Sequence, residues 1–136
     1  MSMRQKDHGP DPYVVNIKRE SVENTDFRFA VWTGEYLQMT LMCIPPHGEI
    51  GLENHADTDQ IIRVEQGAAV VMMGKNKCRH DYEKQLCTGD VVFVPAGTWH
   101  NIVNTGRAPL KVSSVYAPPK HPRGTVQHTQ EEAEYM

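Results

Sequence analysis

The sequence predicts an all-β protein that folds as one closed barrel or sandwich. Short runs rich in β-branched and aromatic residues recur along the chain at regular spacing, and residues typical of turns close each run. This pattern favours a sandwich or barrel over alternating β and α units. With 136 residues the chain is long enough for one core. We therefore expect a single domain over residues 1–136, with its barrel core at about residues 27–119.

The first two runs, residues 27–32 and 36–44, flank Thr33-Gly34 and predict a β-hairpin. Turn-forming residues such as Gly67 and Pro95-Ala96-Gly97 separate the later runs. These later strands are predicted at residues 60–64, 68–73, 82–86, 91–94, 99–103 and 110–116.

The two ends of the chain have a different pattern. Residues 1–12 are polar and interrupted by Gly9-Pro10 and Pro12, which predicts an N-terminal arm that is loose or packs on a partner subunit. Residues 18–23 have weak helical character. Thr129 and Glu132 have the spacing of a capping box, so a short C-terminal helix is expected after Thr129.

Composition excludes several classes of function. The net charge of −3 lacks the basic excess that binding to a phosphate backbone requires, so we expect no nucleic-acid partner. No apolar stretch approaches the roughly 18 residues of a membrane span, and residues 1–12 lack the apolar centre of a signal peptide. We expect a cytoplasmic protein without a membrane partner. Three cysteines without CxxC spacing predict reduced thiols in or near the core.

The most informative stretch is residues 89–104, which matches Gly-x5-Pro-x-Gly-x2-His-x3-Asn at every fixed position. A buried strand meets a tight Pro-x-Gly turn, and the returning strand begins with Trp99-His100. This segment resembles the second signature motif of the cupins. The resemblance covers roughly residues 27–119 and implies the cupin double-stranded β-helix, a jelly-roll barrel, of the kind found in small single-domain bacterial cupins related to mannose-6-phosphate isomerase.

The first cupin motif is present in altered form. Its usual pattern is His-x-His, three or four residues, Glu, six residues and Gly. Counting back from Gly67, the glutamate position falls on Gln60 and the histidine pair falls on Glu53 and His55. The resemblance therefore implies a metal site made of Glu53, His55, Gln60 and His100, in which two of the usual four residues differ.

The spacing is compatible with such a site. Glu53 and His55 are two residues apart on an extended segment, so both side chains point to one side. A carboxylate, two imidazoles and an amide oxygen suit one divalent transition metal ion, Zn, Mn, Fe, Ni or Co. A rival register pairs His55 with Asp57 and leaves Glu53 outside the metal shell.

Other polar residues are assigned less specific roles. His47, His121 and His128 are interpreted as solvated histidines outside the site. Gln38 alternates with Thr40 and Met42 along one strand face that could line the cavity, and it is the candidate for substrate binding.

Cupins include isomerases, epimerases, dioxygenases, decarboxylases and non-catalytic binding proteins, so the resemblance does not fix the reaction. The leading hypothesis is a metalloenzyme for a small hydroxy-carbonyl or carboxylate compound, such as a sugar isomerase or epimerase. The alternatives are an Fe(II) dioxygenase and a metal-dependent small-molecule binding protein without turnover. Because cupin barrels commonly pair through their sheets, a homodimer is expected.

Overall fold

The computed structural model describes residues 6–134 and confirms the all-β class, with every predicted strand in its place. The hairpin is β1 and β2, and one short strand near the C-terminal end was not predicted. In chain order the elements are α1 (Ile17–Glu23), β1 (Arg28–Thr33), β2 (Gln38–Ile44), β3 (Asp59–Gln66), β4 (Ala68–Gly74), β5 (Tyr82–Cys87), β6 (Val91–Val94), β7 (Trp99–Asn104), β8 (Leu110–Ala117), β9 (Val126–Gln127) and α2 (Gln130–Glu134).

Two sheets form the barrel. The larger has the order β6-β3-β8-β2-β1-β9, and the smaller has the order β5-β4-β7. The pairs that join these strands within each sheet are antiparallel. The register places Gln38, Tyr116, Gln60 and Val94 opposite one another across β2, β8, β3 and β6. Residues directly opposite share a face, so these side chains form one transverse row of the larger sheet.

The core lies between the two sheets. The larger sheet contributes Met42, Ile62 and Val112, and the smaller sheet contributes Val71 and Ile102. All five are at most 2% exposed. Burying an aliphatic side chain of this size stabilises the fold by roughly 1.5–3 kcal/mol. The apolar core thus holds together the two sheets whose polar inner residues form the site.

The N-terminal arm packs on the same chain, so the expectation of a loose arm was wrong over its described part, residues 6–12. His8 donates a backbone hydrogen bond of 2.8 Å to Val31 O, and Trp32 Nε1 donates one of 2.7 Å to Asp11 O. The Asp7 carboxylate accepts hydrogen bonds from Thr33 and Gly124. The homodimer stays a prediction.

Strand β9 pairs with β1 at one edge of the larger sheet, with Arg28 opposite Gln127 and Phe29 opposite Val126. Its two residues are too few to show a strand pattern in the sequence. The capping-box prediction for α2 is confirmed by the hydrogen bond from Glu132 N to Thr129 Oγ1. Strand β9 and helix α2 therefore extend the fold beyond the last predicted strand, β8.

The three cysteines form no disulfide within residues 6–134. Cys43 is half-buried, whereas Cys78 and Cys87 are exposed, so a position in or near the core was wrong for the last two. Neither helix in the described part of the chain is long and apolar enough to cross a membrane.

Candidate metal centre

The segment before β3 is aligned on β7 by backbone pairing. Ile50 N donates to Ile102 O at 3.0 Å, and Glu53 and His100 exchange two hydrogen bonds of 2.9 Å each. The Asn101 side chain adds two bonds, from Gly51 N at 3.0 Å and to Glu49 Oε1 at 2.9 Å. This pairing puts the Glu53 side chain beside that of His100.

His100 follows the Pro-x-Gly turn predicted from the second motif. Thr98 N donates to Pro95 O at 3.1 Å, and Gly97 has a φ of +83°, a conformation that glycine adopts readily. Gly97 N also donates to His55 O at 2.8 Å, which ties the turn to the first motif. The turn therefore positions both histidines.

The structure brings the predicted ligands Glu53, His55 and His100 together. One ligand atom from each lies within 4.8 Å of the other two. Glu53 Oε1 is 3.4 Å from His55 Nε2 and 3.7 Å from His100 Nε2. The two histidines are buried, and their rings meet edge to face at a centroid distance of 5.4 Å. Three of the four predicted ligands thus converge on one point.

Gln60 is 3% exposed and lies on β3 opposite Tyr116 and Val94. Its Oε1 atom is buried and accepts no hydrogen bond within the described part of the chain. Asp57, the residue of the rival register, is exposed in the turn before β3 and is absent from the cluster. The structure therefore favours Glu53 over Asp57.

The comparisons agree with this architecture. Residues 40–116 match the family model described as a cupin domain. This chain is a cupin. Uncharacterized protein YrkC of Bacillus subtilis (strain 168) is 49% identical to it over 128 residues, which are 94% of this chain and 69% of that protein.

Solved structures give the same result. The crystal structure of BH2720 from Bacillus halodurans has a TM-score of 0.95 and 47% identity, covering 96% of this cupin and 99% of that chain. A predicted oxalate decarboxylase from Thermotoga maritima has a TM-score of 0.54 and 25% identity, covering 62% of this cupin and 69% of that chain.

Unpartnered ligand atoms show that the cluster of Glu53, His55 and His100 in this cupin fits a metal ion. His55 Nδ1, His55 Nε2 and His100 Nε2 are buried without hydrogen-bond partners among residues 6–134. Such atoms destabilise a fold unless they are satisfied by water, an ion or a ligand. His100 Nδ1 donates to Thr98 O at 3.0 Å, which leaves Nε2 as the free lone pair that a metal requires.

Electrostatics also suit metal binding. Burial lowers the pKa of His100 despite the opposing effects of the Thr98 carbonyl and the Glu53 carboxylate, so the ring is neutral at neutral pH. For Glu53 burial raises the pKa, but the His55 ring, with Nε2 3.4 Å from Oε1, and the charge of Arg28 outweigh burial, and the net pKa is lowered. The site therefore presents an ionised carboxylate and a neutral imidazole.

Sequence reasoning missed three residues that surround the ligands. Arg28 is buried, with Nη2 3.7 Å from Glu53 Oε2. Tyr116 is 1% exposed, and its ring contacts His55 edge to face at 5.8 Å. Burial, together with the charge of Glu53, raises the pKa of Tyr116 to about 12. The phenol therefore stays protonated.

His121 is the third missed residue and corrects its interpretation as a solvated histidine. Its ring is half-buried and packs edge to face on Tyr116, with a centroid distance of 5.2 Å. Burial, followed by the charge of Arg28, lowers the pKa of His121 to about 4. His47 is exposed as expected, and the exposed His128 bonds to Asp26 at 2.7 Å.

Gln38, the predicted substrate-binding residue, is fully buried. Its amide nitrogen donates to Thr33 Oγ1 at 3.0 Å and to His121 O at 2.9 Å. Its oxygen accepts from the backbone nitrogens of Lys120 and His121. The amide thereby holds the segment that carries His121 against β2. Direct contact between Gln38 and substrate stays a prediction.

Proposed function

We propose that this cupin is a metal-dependent enzyme for a small hydroxy-carbonyl or carboxylate compound, with isomerisation or epimerisation as the leading reaction class. The convergence of Glu53, His55 and His100 carries the proposal, because their ligand atoms lie within 4.8 Å of one another at the inner face of the barrel. Gln60 is proposed as the fourth ligand, through its unpartnered Oε1 atom.

The ligand set favours one Zn, Mn, Fe, Ni or Co ion, since imidazole nitrogens and carboxylate or amide oxygens match these metals. When bound, the ion supplies Lewis acidity at the coordination positions that four protein ligands leave open. His100 is oriented for this role by Thr98, and the Gly97–His55 backbone hydrogen bond supports the second imidazole.

The chain's own residues can bind substrate and move a proton. The Glu53 side chain is 23% exposed and ionised, so its second oxygen can accept a proton from a carbon next to a carbonyl group. The Tyr116 phenol is protonated and can donate a hydrogen bond to a substrate oxygen. His121 contacts Tyr116 through Nε2 at 3.4 Å and keeps that ring in place.

The Thermotoga maritima structure supports the carboxylate part of the proposal, since oxalate is a small carboxylate. Two cavities of about 450 and 520 Å³ lie elsewhere on this cupin. The first is beside β5 and β6, and the second is beside Tyr13 and Trp32. None of the four proposed ligands lines either cavity, so the site rests on the ligand geometry.

Elemental analysis of protein purified without added metal tests the proposal. We expect about one transition-metal ion per chain in the wild type. His100→Ala should lose the metal, and Gln60→Ala should hold it more weakly. His80→Ala removes an exposed histidine of the β4–β5 loop and should leave the content unchanged.

Two results would contradict the metal centre. Wild-type protein that stays free of metal after dialysis against Zn²⁺, Mn²⁺ or Fe²⁺ would overturn it. Unchanged metal content in a folded His100→Ala protein would do the same. If the metal-loaded protein consumed dioxygen together with its substrate, the dioxygenase alternative would replace isomerisation as the proposed reaction.

A further inference from the structure

Arg28 is a buried cation with unused hydrogen-bonding capacity. The residue is 4% exposed, and its Nη1 atom donates to Gln127 Oε1 at 2.7 Å. Nη2 contacts Met42 Sδ at 3.8 Å, the guanidinium also interacts with the Tyr116 hydroxyl, and Nε has no partner within residues 6–134. Burying a guanidinium donor without an acceptor is unfavourable, so natural proteins rarely leave one unpaired. The Nε–Nη2 edge therefore fits an acceptor supplied by a ligand.

The charge around Arg28 is incompletely balanced. The nearest carboxylate is that of Glu53, with its Oε2 atom 3.7 Å from Nη2, which is beyond a good hydrogen bond. If Glu53 also ligates a divalent ion, its single negative charge has to compensate both cations. A buried site with such an excess of positive charge favours an anionic ligand.

Arg28 and Glu53 also share a cavity. Its volume is about 170 Å³, and its wall includes Phe27, Gly51 and two residues of α2, Gln130 and Ala133. This is below the roughly 300 Å³ at which pockets for drug-sized ligands begin. A compound of a few carbon atoms would fit, with one end beside Glu53 and the other beside the guanidinium.

We propose that Arg28 binds the carboxylate of a small hydroxy- or oxo-carboxylate substrate whose second oxygen faces the metal centre. A guanidinium presents two parallel N–H donors in a plane, and a carboxylate accepts both. Within the broader substrate class, the inference selects the anionic members over neutral hydroxy-carbonyl compounds. It rests on the proposed metal centre.

The test uses cobalt-loaded protein and two probes of matched shape, glycolate and its neutral analogue glycolamide. Dissociation constants are measured from changes in the visible Co²⁺ absorption spectrum. We expect wild-type protein to prefer glycolate, and Arg28→Gln to reduce that preference on the order of 30-fold, as loss of one partner of a buried charged pair does. Arg107→Gln changes an exposed loop arginine and should leave the preference for glycolate over glycolamide unchanged.

Arg28→Lys is the second variant, because it retains the positive charge and removes the planar pair of donors. An intermediate loss of preference supports the proposal, as does the larger loss in Arg28→Gln. A glycolate preference unchanged in either folded variant overturns it, and so does a wild type without preference. Circular dichroism establishes folding.

Cobalt content separates the two failures. A wild-type protein that takes up no Co²⁺ refutes the proposed metal centre, and the inference that rests on it fails with it. If the protein has full cobalt content and Arg28→Gln keeps the wild-type ratio of the glycolate and glycolamide dissociation constants, only the carboxylate site is refuted. Equal cobalt content in the wild type and in Arg28→Gln is therefore the condition for comparing their preferences.

Discussion

The backbones of Glu53 and His100 exchange a pair of hydrogen bonds, so these two residues are direct cross-strand partners. Direct partners point their side chains to the same face. The distance between the Glu53 carboxylate and the His100 ring is therefore set by sheet pairing. This is a rigid way to hold ligands that come from distant parts of the chain.

Asn101→Ala should weaken metal binding through this pairing. The Asn101 amide bonds to Gly51 N and to Glu49, both in the segment that leads to Glu53. Losing both bonds should reduce metal affinity about tenfold, as removal of a positioning group does. The measurement is competition with a fluorescent chelator for Zn²⁺.

Asn104→Ala is the matched control for that change. Its amide donates to Ile44 O and Ala108 O and accepts from Gly106 N, and none of these contacts involves the ligands. Both variants should lose about 1–3 kcal/mol of unfolding free energy. If Asn104→Ala weakened zinc binding as much as Asn101→Ala, the weaker binding would result from general destabilisation and not from loss of the Asn101 hydrogen bonds.

Gln60→Met should change stability and metal affinity in opposite directions. The buried Oε1 atom lacks a hydrogen-bond partner in the described structure, and methionine has a similar volume without a strong polar group. We expect the free energy of unfolding of the metal-free protein, measured in urea, to rise by about 1 kcal/mol. Zinc affinity should fall. A variant that loses stability while keeping its affinity would show that Gln60 serves packing alone.

Asp7→Asn should destabilise the arm at neutral pH and much less in acid. Burial raises the pKa of Asp7, but hydrogen bonds from Thr33, Gly124 and Gly9 outweigh burial and lower it below the usual 3.8. A lowered pKa contributes stability above pH 3.8 that is lost as the pH falls through the folded-state pKa.

Urea unfolding of the wild type and Asp7→Asn at a series of pH values checks this prediction. The difference in unfolding free energy between the two proteins should be only about 1–2 kcal/mol at pH 7, because the carboxylate is partly exposed. This difference should shrink in acid. Asp57→Asn, in an exposed turn, should show no comparable difference. A constant difference from pH 7 to pH 2 would contradict the assignment.

The pair of His128 and Asp26 should give the opposite pH dependence. The hydrogen bond and charge of Asp26 raise the pKa of His128 above 6.5, so its stabilising effect is full below pH 6.5 and is lost as the pH rises through the raised value. An NMR titration should show the raised pKa in the wild type and its return towards 6.5 in Asp26→Asn. Equal values in both proteins would refute the coupling.

The sequence predicted the barrel because strand patterns and turns are local features. The second motif located His100, since a buried strand, a Pro-x-Gly turn and a returning strand are adjacent in the chain. Glu53 and His55 were located by counting back from Gly67 in the altered first motif, and their two-residue spacing places both side chains on one side of the segment. Arg28 was missed for a physical reason. Its strand is buried on both faces over Arg28–Val31, and the alternation that would mark an inward side chain is therefore absent.

His121 could not be assigned correctly for a related reason. Its position depends on the contact between β2 and the segment after β8, where the Gln38 amide bonds to His121 O, 83 positions away. Strand β9 likewise exists only because β1 offers an unpaired edge. Such features arise from tertiary contacts, which a local pattern does not encode.

The hydrogen bond between Asp7 and Gly124 joins groups 117 positions apart. During synthesis the ribosome releases Asp7 long before Gly124 exists, and throughout that interval the outer side of β1 lacks β9 as well. A nascent chain stalled before residue 124 would present an open β-edge to other chains. This bond and the β1–β9 pairing can therefore form only after residue 124 has been synthesised, and products truncated before it should aggregate where the longer chain does not.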